Sequence, residues 1–457
     1  TARIGAVLVN INPAYRTAEL EYALNQSGIS FLLLARAFRT SDYAGMLGEV
    51  RGRCPGLREA LVLEDGWDAL LRDAGRVSDE QLAERESKLQ FDDAINIQYT
   101  SGTTGFPKGA TLSHHSILNN GYFVGEALRY TEADRVCIPV PFYHCFGMVL
   151  GNLACTTHGS VMVIPGEAYD PEAVMEAVQA ERCTSLYGVP TMFIGELDHP
   201  RFKEFDLSSL RTGIMAGSPC PVEVMQRVQT SMNMTEVTIA YGMTETSPVS
   251  TQSSTDDPLE KRVATVGRVF PHVEIKVVDP DTGAVVPRGE RGELCSRGYH
   301  VMLGYWNNEE ATRAAIDAGR WMHTGDLATM DGDGYLNIVG RIKDMIIRGG
   351  ENVYPREIEE YLYTHPDVAD VQVIGVPSER YGEEVMAWVR LREGASVTGE
   401  QLVEFCRGRI ATFKIPRYWK FVDEFPMTVT GKIQKFKMRD VAVEELGLQT
   451  AAGVRTA

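Results

Sequence analysis

The sequence predicts an α/β protein: a large N-terminal domain of doubly wound sheets with an added β subdomain, then a small α+β C-terminal domain. Three observations carry this expectation. Short apolar runs alternate with helical segments as far as Tyr241, the texture turns to brief β runs broken by turns from Val263, and a compact α+β pattern closes the chain. A chain of 457 residues is also too long for one simple core. The expected division is 1–342 for the first domain, with the β subdomain at about 263–340, and 343–457 for the second.

In chain order, apolar runs predict strands over Ala6–Ile11, Phe31–Ala35 and Ala60–Leu63, separated by helices over Thr17–Ser27 and Ser41–Arg51. Residues Asp65 to Asp93 are polar and helix-prone. The alternation Ala94-Ile-Asn-Ile-Gln-Tyr99 reads as a strand leading into a hydroxyl- and glycine-rich loop, and Ser113 is placed to cap a helix running to Arg129. Strands at Arg135–Pro139, Ser160–Ile164, Thr184–Tyr187, Thr212–Ala216 and Glu236–Tyr241 then alternate with helices at Tyr143–Thr157, Pro171–Glu181, Pro190–Leu197 and Pro221–Ser231. In such sheets ligands sit beyond the carboxyl ends of the strands, so the loops at 99–108, 141–147, 187–190, 216–219 and 241–246 should share one edge. The second domain should hold helices Pro355–Thr364 and Thr398–Arg409 and strands Val368–Val376 and Glu384–Arg390.

Composition narrows the function. Apolar content of 44% and charged content of 23% suit a soluble globular chain, and a net charge of −17 argues against nucleic acid or an anionic membrane as partner. No apolar run approaches the ~20 residues of a spanning helix. The eight cysteines are scattered without a Cys-x-x-Cys pair, which suits free thiols and a cytoplasmic location. The opening residues run straight into a strand from Thr1, so the chain is expected to lack the start of its first subdomain.

Five stretches ask for a chemical explanation. The loop Tyr99-Thr-Ser-Gly-Thr-Thr-Gly-Phe-Pro-Lys-Gly-Ala110 offers hydroxyls at Thr100, Ser101, Thr103 and Thr104, bendable backbone at Gly102 and Gly105, and the point charge of Lys108. It fits a polyanion cradle or a plain polar turn, and its Pro-Lys-Gly ending departs from the Walker A pattern. Ile239-Ala-Tyr-Gly-Met-Thr-Glu-Thr246 ends a strand with Tyr241, Gly242, Thr244 and Glu245; it could stack a purine and bind a hard cation, or simply cap a turn. Trp321-Met-His-Thr-Gly-Asp-Leu327 brings Asp326, with Arg341 downstream, as a carboxylate and a guanidinium fork suited to sugar and phosphate edges, although a Thr-Gly-Asp turn also occurs as punctuation. Pro426-Met-Thr-Val-Thr-Gly-Lys-Ile-Gln-Lys435 puts Lys432 in a turn where a solvated lysine is the ordinary outcome. Pro141-Phe-Tyr-His-Cys-Phe-Gly-Met148 buries His144 in an aromatic run, where a satisfied core histidine is common. No Ser-His-Asp order or zinc spacing stands out, and the His114-His115 pair is read as structural.

Taken together, these stretches resemble, nearly residue for residue, the signature motifs of the adenylate-forming superfamily of acyl-CoA synthetases, luciferases and adenylation domains. The resemblance runs over essentially the whole chain and is strongest to medium-chain fatty acyl-CoA synthetases. It implies that Ser101, Gly102, Thr103, Thr104, Gly105 and Lys108, with Thr100, cradle the phosphates of ATP. It implies that Tyr241 and Gly242 flank the adenine opposite Ala216, Gly217 and Ser218, that Thr244 contacts the α-phosphate, and that Glu245 holds Mg²⁺. Asp326 and Arg341 are then ribose and phosphate contacts, and Lys432 is a mobile catalytic cation. The same resemblance makes His144 the gate of the acyl channel, Gly349 and Gly350 the backbone beside the CoA arm, and Lys343 a hinge. Met148, Tyr187, Met192 and Met215 are the candidate channel wall. No acid occurs between Asp134 and Glu167 to pair with a substrate amine, so an uncharged acyl chain fits better than an amino acid. The implied activity is acyl-CoA synthesis from a carboxylic acid, ATP and CoA. An aryl or aryl-propenoate CoA ligase, an acyl-AMP ligase loading a carrier protein and an inactive nucleotide-binding protein stand as alternatives, with self-association as a homodimer left open.

Overall fold

A computed structural model describes residues 1–100, 107–218, 220–428 and 432–449. Its largest sheet has seven strands in the order Arg268–Val269, Val249–Gln252, Glu236–Gly242, Thr212–Ala216, Ser185–Gly188, Arg135–Cys137, Val161–Val163. The five strands from Glu236–Gly242 to Val161–Val163 run parallel, and the two at the other edge run antiparallel. Side-chain alternation divides the sheet into two cores. Val136, Tyr187, Ile214 and Ala216 face a layer containing Ile117, Val124 and Val149, whereas Cys137, Leu186, Met215 and Ile239 face Val174, Phe193 and Met225. Helices therefore cover both faces, as a doubly wound fold requires.

Two local expectations are corrected. The glycine loop does not lead from a strand directly to a helix: Ala94–Thr100 pairs antiparallel with a strand at Lys108–Ser113, in register Thr100 with Lys108, and only then does Ser113 cap the helix His114–Leu128. The glycines and Pro107 mask the apolar pattern of this second strand, and its pairing partners, Gly304–Tyr305 on its other side, are remote in sequence. The helix expected from Tyr143 begins as wide π-type turns at Phe146–Leu153 and tightens to α only over Ala154–His158.

The β subdomain is an antiparallel sheet of Val273–Val278, Gly292–Gly298, Met322–Met330 and Leu336–Arg341. It starts later than residue 263, because Arg268–Val269 joins the edge of the seven-stranded sheet. Sheet membership changes between Arg341 and Ile346. From there a five-stranded sheet with helices Pro355–Tyr363, Gly399–Cys406 and Lys435–Glu445 has its own cores, one around Ile358, Val371 and Leu402, the other around Val376, Trp388 and Met438. The domains touch where Arg392 bonds Glu223 at 2.8 Å and the Arg291 guanidinium lies 3.7 Å from the Tyr354 ring centroid. Among the described residues no helix is long and apolar enough to cross a membrane.

Candidate active site

Parallel register fixes the floor of the site. Ala216 is opposite Ala240 and Gly188 opposite Met215, so the strands ending at Gly188, Ala216 and Gly242 present their carboxyl ends on one edge, beside the loop that carries His144. Two glycines are required there. Gly217 has φ +91° with a Val189 methyl 3.1 Å from where a Cβ would sit, and a Cβ on Gly242 would lie 1.7 Å from the Pro248 carbonyl oxygen.

Strand pairing then brings the distant polar residues together. Asp326 and Arg341 are cross-strand partners with Arg341 Nε 3.3 Å from Asp326 Oδ1, and the Tyr241 hydroxyl donates to Asp326 Oδ2 at 2.7 Å. Burial pushes the Asp326 carboxyl up, opposed by the charge of Arg341, while burial and the charge of Asp326 push the Tyr241 phenol well up, so Tyr241 keeps the shared proton. Glu245, in the turn Thr244–Thr246, accepts from the Tyr305 hydroxyl at 2.8 Å, and the Lys108 ammonium lies 4.4 Å from the Tyr305 ring centroid. Tyr305 had no sequence signal; the edge pairing of Gly304–Tyr305 with Lys108–Ser113 delivers it. The set of donors here, the Glu245 carboxylate with the Thr244 hydroxyl nearby, is all oxygen and fits a hard cation such as Mg²⁺.

Lys432 reaches this edge from the C-terminal domain. Its Cε lies 3.9 Å from the position of a Gly217 Cβ, and its surroundings include Cys145, Arg341, Glu245 and Asp326. Burial lowers its pKa first, and the charge of Arg341 adds to the lowering against the pull of Cys145, Glu245 and Asp326. Burial and the charge of Lys432 push His144 down to about 3, so the imidazole is neutral. Its Nδ1 accepts the Phe146 backbone N–H at 3.1 Å, which leaves the proton on Nε2. Cys145 Sγ sits 3.7 Å from Thr244 Oγ1, tying the His144 loop to the Thr244 turn.

Of the predicted wall, Met148, Tyr187 and Met192 share one buried cluster with Phe146 and Val189. Tyr187 is anchored there, donating to the Leu150 carbonyl and accepting from Tyr130, both at 3.1 Å. Met215 is not part of that wall: one residue off in the alternation, it faces the opposite core. Lys435 and Arg439 are paired within their own domain, Lys435 Nζ with Glu359 Oε1 and Arg439 Nη1 with Glu383 Oε1, both at 2.6 Å. Gly349 and Gly350 turn the hairpin between Ile346–Arg348 and Glu351–Val353, where Arg348 pairs with the buried Glu384. Lys343 lies in the turn Ile342–Asp344, with burial and Arg341 lowering its pKa. Thr100 donates weakly to the Lys108 carbonyl at 3.4 Å, Ala216 and Ser218 flank Gly217, and Ser101, Gly102, Thr103, Thr104 and Gly105 lie outside the described residues.

Known proteins of one family resemble this chain over nearly its whole length. The model of the AMP-binding enzyme family matches residues 1–306, and that of the AMP-binding enzyme C-terminal domain matches residues 357–432. A putative acyl-CoA synthetase, YngI, of Bacillus subtilis is 50% identical over 99% of this chain and 86% of its own. The mitochondrial medium-chain acyl-CoA ligase ACSF2 of Danio rerio is 46% identical over 98% of this chain and 77% of its own. Among solved structures, ATP-bound MatB from Rhodopseudomonas palustris superposes with a TM-score of 0.82 at 30% identity, over 96% of this chain and 84% of that one. The anthranilate CoA ligase AuaEII in complex with anthranoyl-AMP gives 0.84 at 27% identity, over 97% and 84%.

Proposed function

The chain belongs to the AMP-binding enzyme family, and we propose that it makes the CoA thioester of a medium-chain fatty acid. That it is an ATP-dependent, AMP-forming acyl-CoA synthetase, using ATP, Mg²⁺ and CoA on a carboxylic acid, follows from its relatives at 46% and 50% identity. The fatty acid is the proposal, supported by the apolar cluster of Met148, Phe146, Tyr187, Val189 and Met192 behind a neutral His144.

One observation carries the assignment of roles: Lys432, partly desolvated, stands against Gly217 in the crevice that holds Glu245, Asp326 and Arg341. In the first half-reaction an oxygen of the acid bonds to the α-phosphorus as the bond to pyrophosphate breaks. Negative charge grows on the phosphoryl oxygens, and a positioned ammonium in a site of low polarity stabilises that state more than the ground state. Tyr241 and Gly217 would bracket the adenine, Asp326 would accept the ribose hydroxyls, and His144 Nε2–H would donate to the acid's carboxylate. Mg²⁺ on Glu245 would supply charge neutralisation at the phosphates. In the second half the CoA sulfur bonds to the acyl carbon and AMP leaves, with the Gly349-Gly350 hairpin brought to the site by rotation at Lys343. The free thiols of all eight cysteines support a reducing compartment such as the cytoplasm.

The test is a panel of straight-chain acids from short to long, with aryl acids and amino acids beside them, reading AMP release with and without CoA. The highest kcat/KM is expected for medium-chain acids and only with CoA does thioester accumulate. A preference for aryl acids, or acyl-AMP that CoA does not discharge, overturns the proposal.

A further inference from the structure

In the β subdomain, next to the turn that carries Asp326, three metal-ligating side chains converge. Glu293 and Cys295 stand two apart on the strand Gly292–Gly298 and so share a face, and the register places His323 of the neighbouring strand directly across from Cys295. His323 Nδ1 lies 2.8 Å from Glu293 Oε2 and 3.5 Å from Cys295 Sγ, and the three potential ligand atoms all fall within 4.8 Å of one another. We propose that Glu293, Cys295 and His323 form a binding site for a zinc-class divalent ion.

The spacing suits such an ion. Tetrahedral zinc, with bonds of about 2.3 Å to sulfur and about 2.0–2.1 Å to nitrogen and oxygen, sets its sulfur and nitrogen ligands about 3.6 Å apart and its nitrogen and oxygen ligands about 3.3 Å apart. Cys295 and His323 already stand at the first separation. Opening His323 and Glu293 by about half an ångström reaches the second.

The outer contacts are also those of a metal centre. Asp317 Oδ2 lies 3.6 Å from His323 Nε2, so when Nδ1 turns its lone pair to an ion, its proton moves to Nε2 and faces a carboxylate. Glu293 can ligate through Oε2 while Oε1 goes on accepting the Gly325 N–H at 3.1 Å. Cys295 is fully buried, with burial holding the thiol up at about 12, so the ion displaces the thiol proton to solvent as the sulfur–metal bond forms. Lys276, across from Cys295 on the third strand, has its ammonium turned over the Trp321 ring at 4.6 Å and favours the thiolate. Entry is from the side of His323, whose side chain is 33% exposed. The fourth position is left to water. Because Gly325 is bonded to Glu293 and Asp326 N–H to Thr324 Oγ1 at 3.1 Å, the site sits directly behind the turn that presents Asp326.

Titration of the full-length, metal-free protein with Co²⁺, without nucleotide, CoA or added thiol, tests this. The expected result is one equivalent bound with tetrahedral visible bands and a sulfur-to-cobalt charge-transfer band, all displaced by Zn²⁺. Cys295→Ser should abolish the charge-transfer band. His323→Gln, a partly exposed change that keeps the fold should the cysteine variant not survive, should weaken binding at least tenfold, and Asp317→Asn by about tenfold. Absence of the charge-transfer band in the native protein, or its persistence in Cys295→Ser or at unchanged affinity in His323→Gln, overturns the site.

Discussion

Within the C-terminal domain, the cations around the hairpin and the last helix differ from the one at the domain's tip. Arg348, Lys435 and Arg439 each rest on a carboxylate of their own domain, Glu384, Glu359 and Glu383, whereas Lys432 forms no ion pair among the described residues and crosses to the opposite domain's crevice. A cation already neutralised by a neighbour can do little for a reaction that builds charge. One that is partly desolvated and uncommitted interacts strongly with whatever anion arrives. Sequence position hides this distinction, since Lys432 and Lys435 are three residues apart in one basic tail.

The sharpest way to break the comparison is Lys432→Ala, which should lower pyrophosphate exchange by about 10²–10³-fold while sparing the discharge of preformed acyl-AMP to CoA. The sign of its pH dependence follows from the lowered pKa: native adenylation should fall as pH rises through a value below the ordinary lysine range, and the variant should lack that alkaline limb. Lys343→Pro should do the reverse, leaving pyrophosphate exchange nearly intact and slowing thioester formation about a hundredfold through misplacement of the hairpin; equal loss of both halves would refute a hinge there.

Smaller effects should follow from paired groups. Asp326→Ala strips the Tyr241 hydroxyl and Arg341 of a shared acceptor, and KM for ATP should rise about ten- to a hundredfold with kcat less affected. Glu359→Gln leaves Lys435 without its counter-charge and should destabilise the C-terminal domain to denaturant by about 2–3 kcal/mol, with pyrophosphate exchange in undenatured protein changed far less than in Lys432→Ala.

Much of this was legible from the chain alone, and the exceptions share a cause. Helices at Thr17–Ser27, Pro171–Glu181 and Pro190–Leu197 match the periodicity, because their caps and apolar faces are local. The strand Lys108–Ser113, the placing of Tyr305 against Glu245, the turn of Met215 into the opposite core and the ion pair of Lys435 with Glu359 all depend on contacts between elements rather than on local pattern. The trio of Glu293, Cys295 and His323 is the extreme case: its ligand spacing exists only once two strands are zipped together, so no motif of the usual metal-binding kind announces it.

The Phe146 N–H that occupies Nδ1 of His144 has a further consequence. With that nitrogen taken and protonation deferred to about pH 3, the ring is a donor of one fixed direction and no charge throughout the range in which cells live. A carboxylate held against Nε2 would therefore be read for the direction of its oxygens, and the neutral donor would favour its ionised form, so acidification of the medium would weaken capture by protonating the acid rather than the ring.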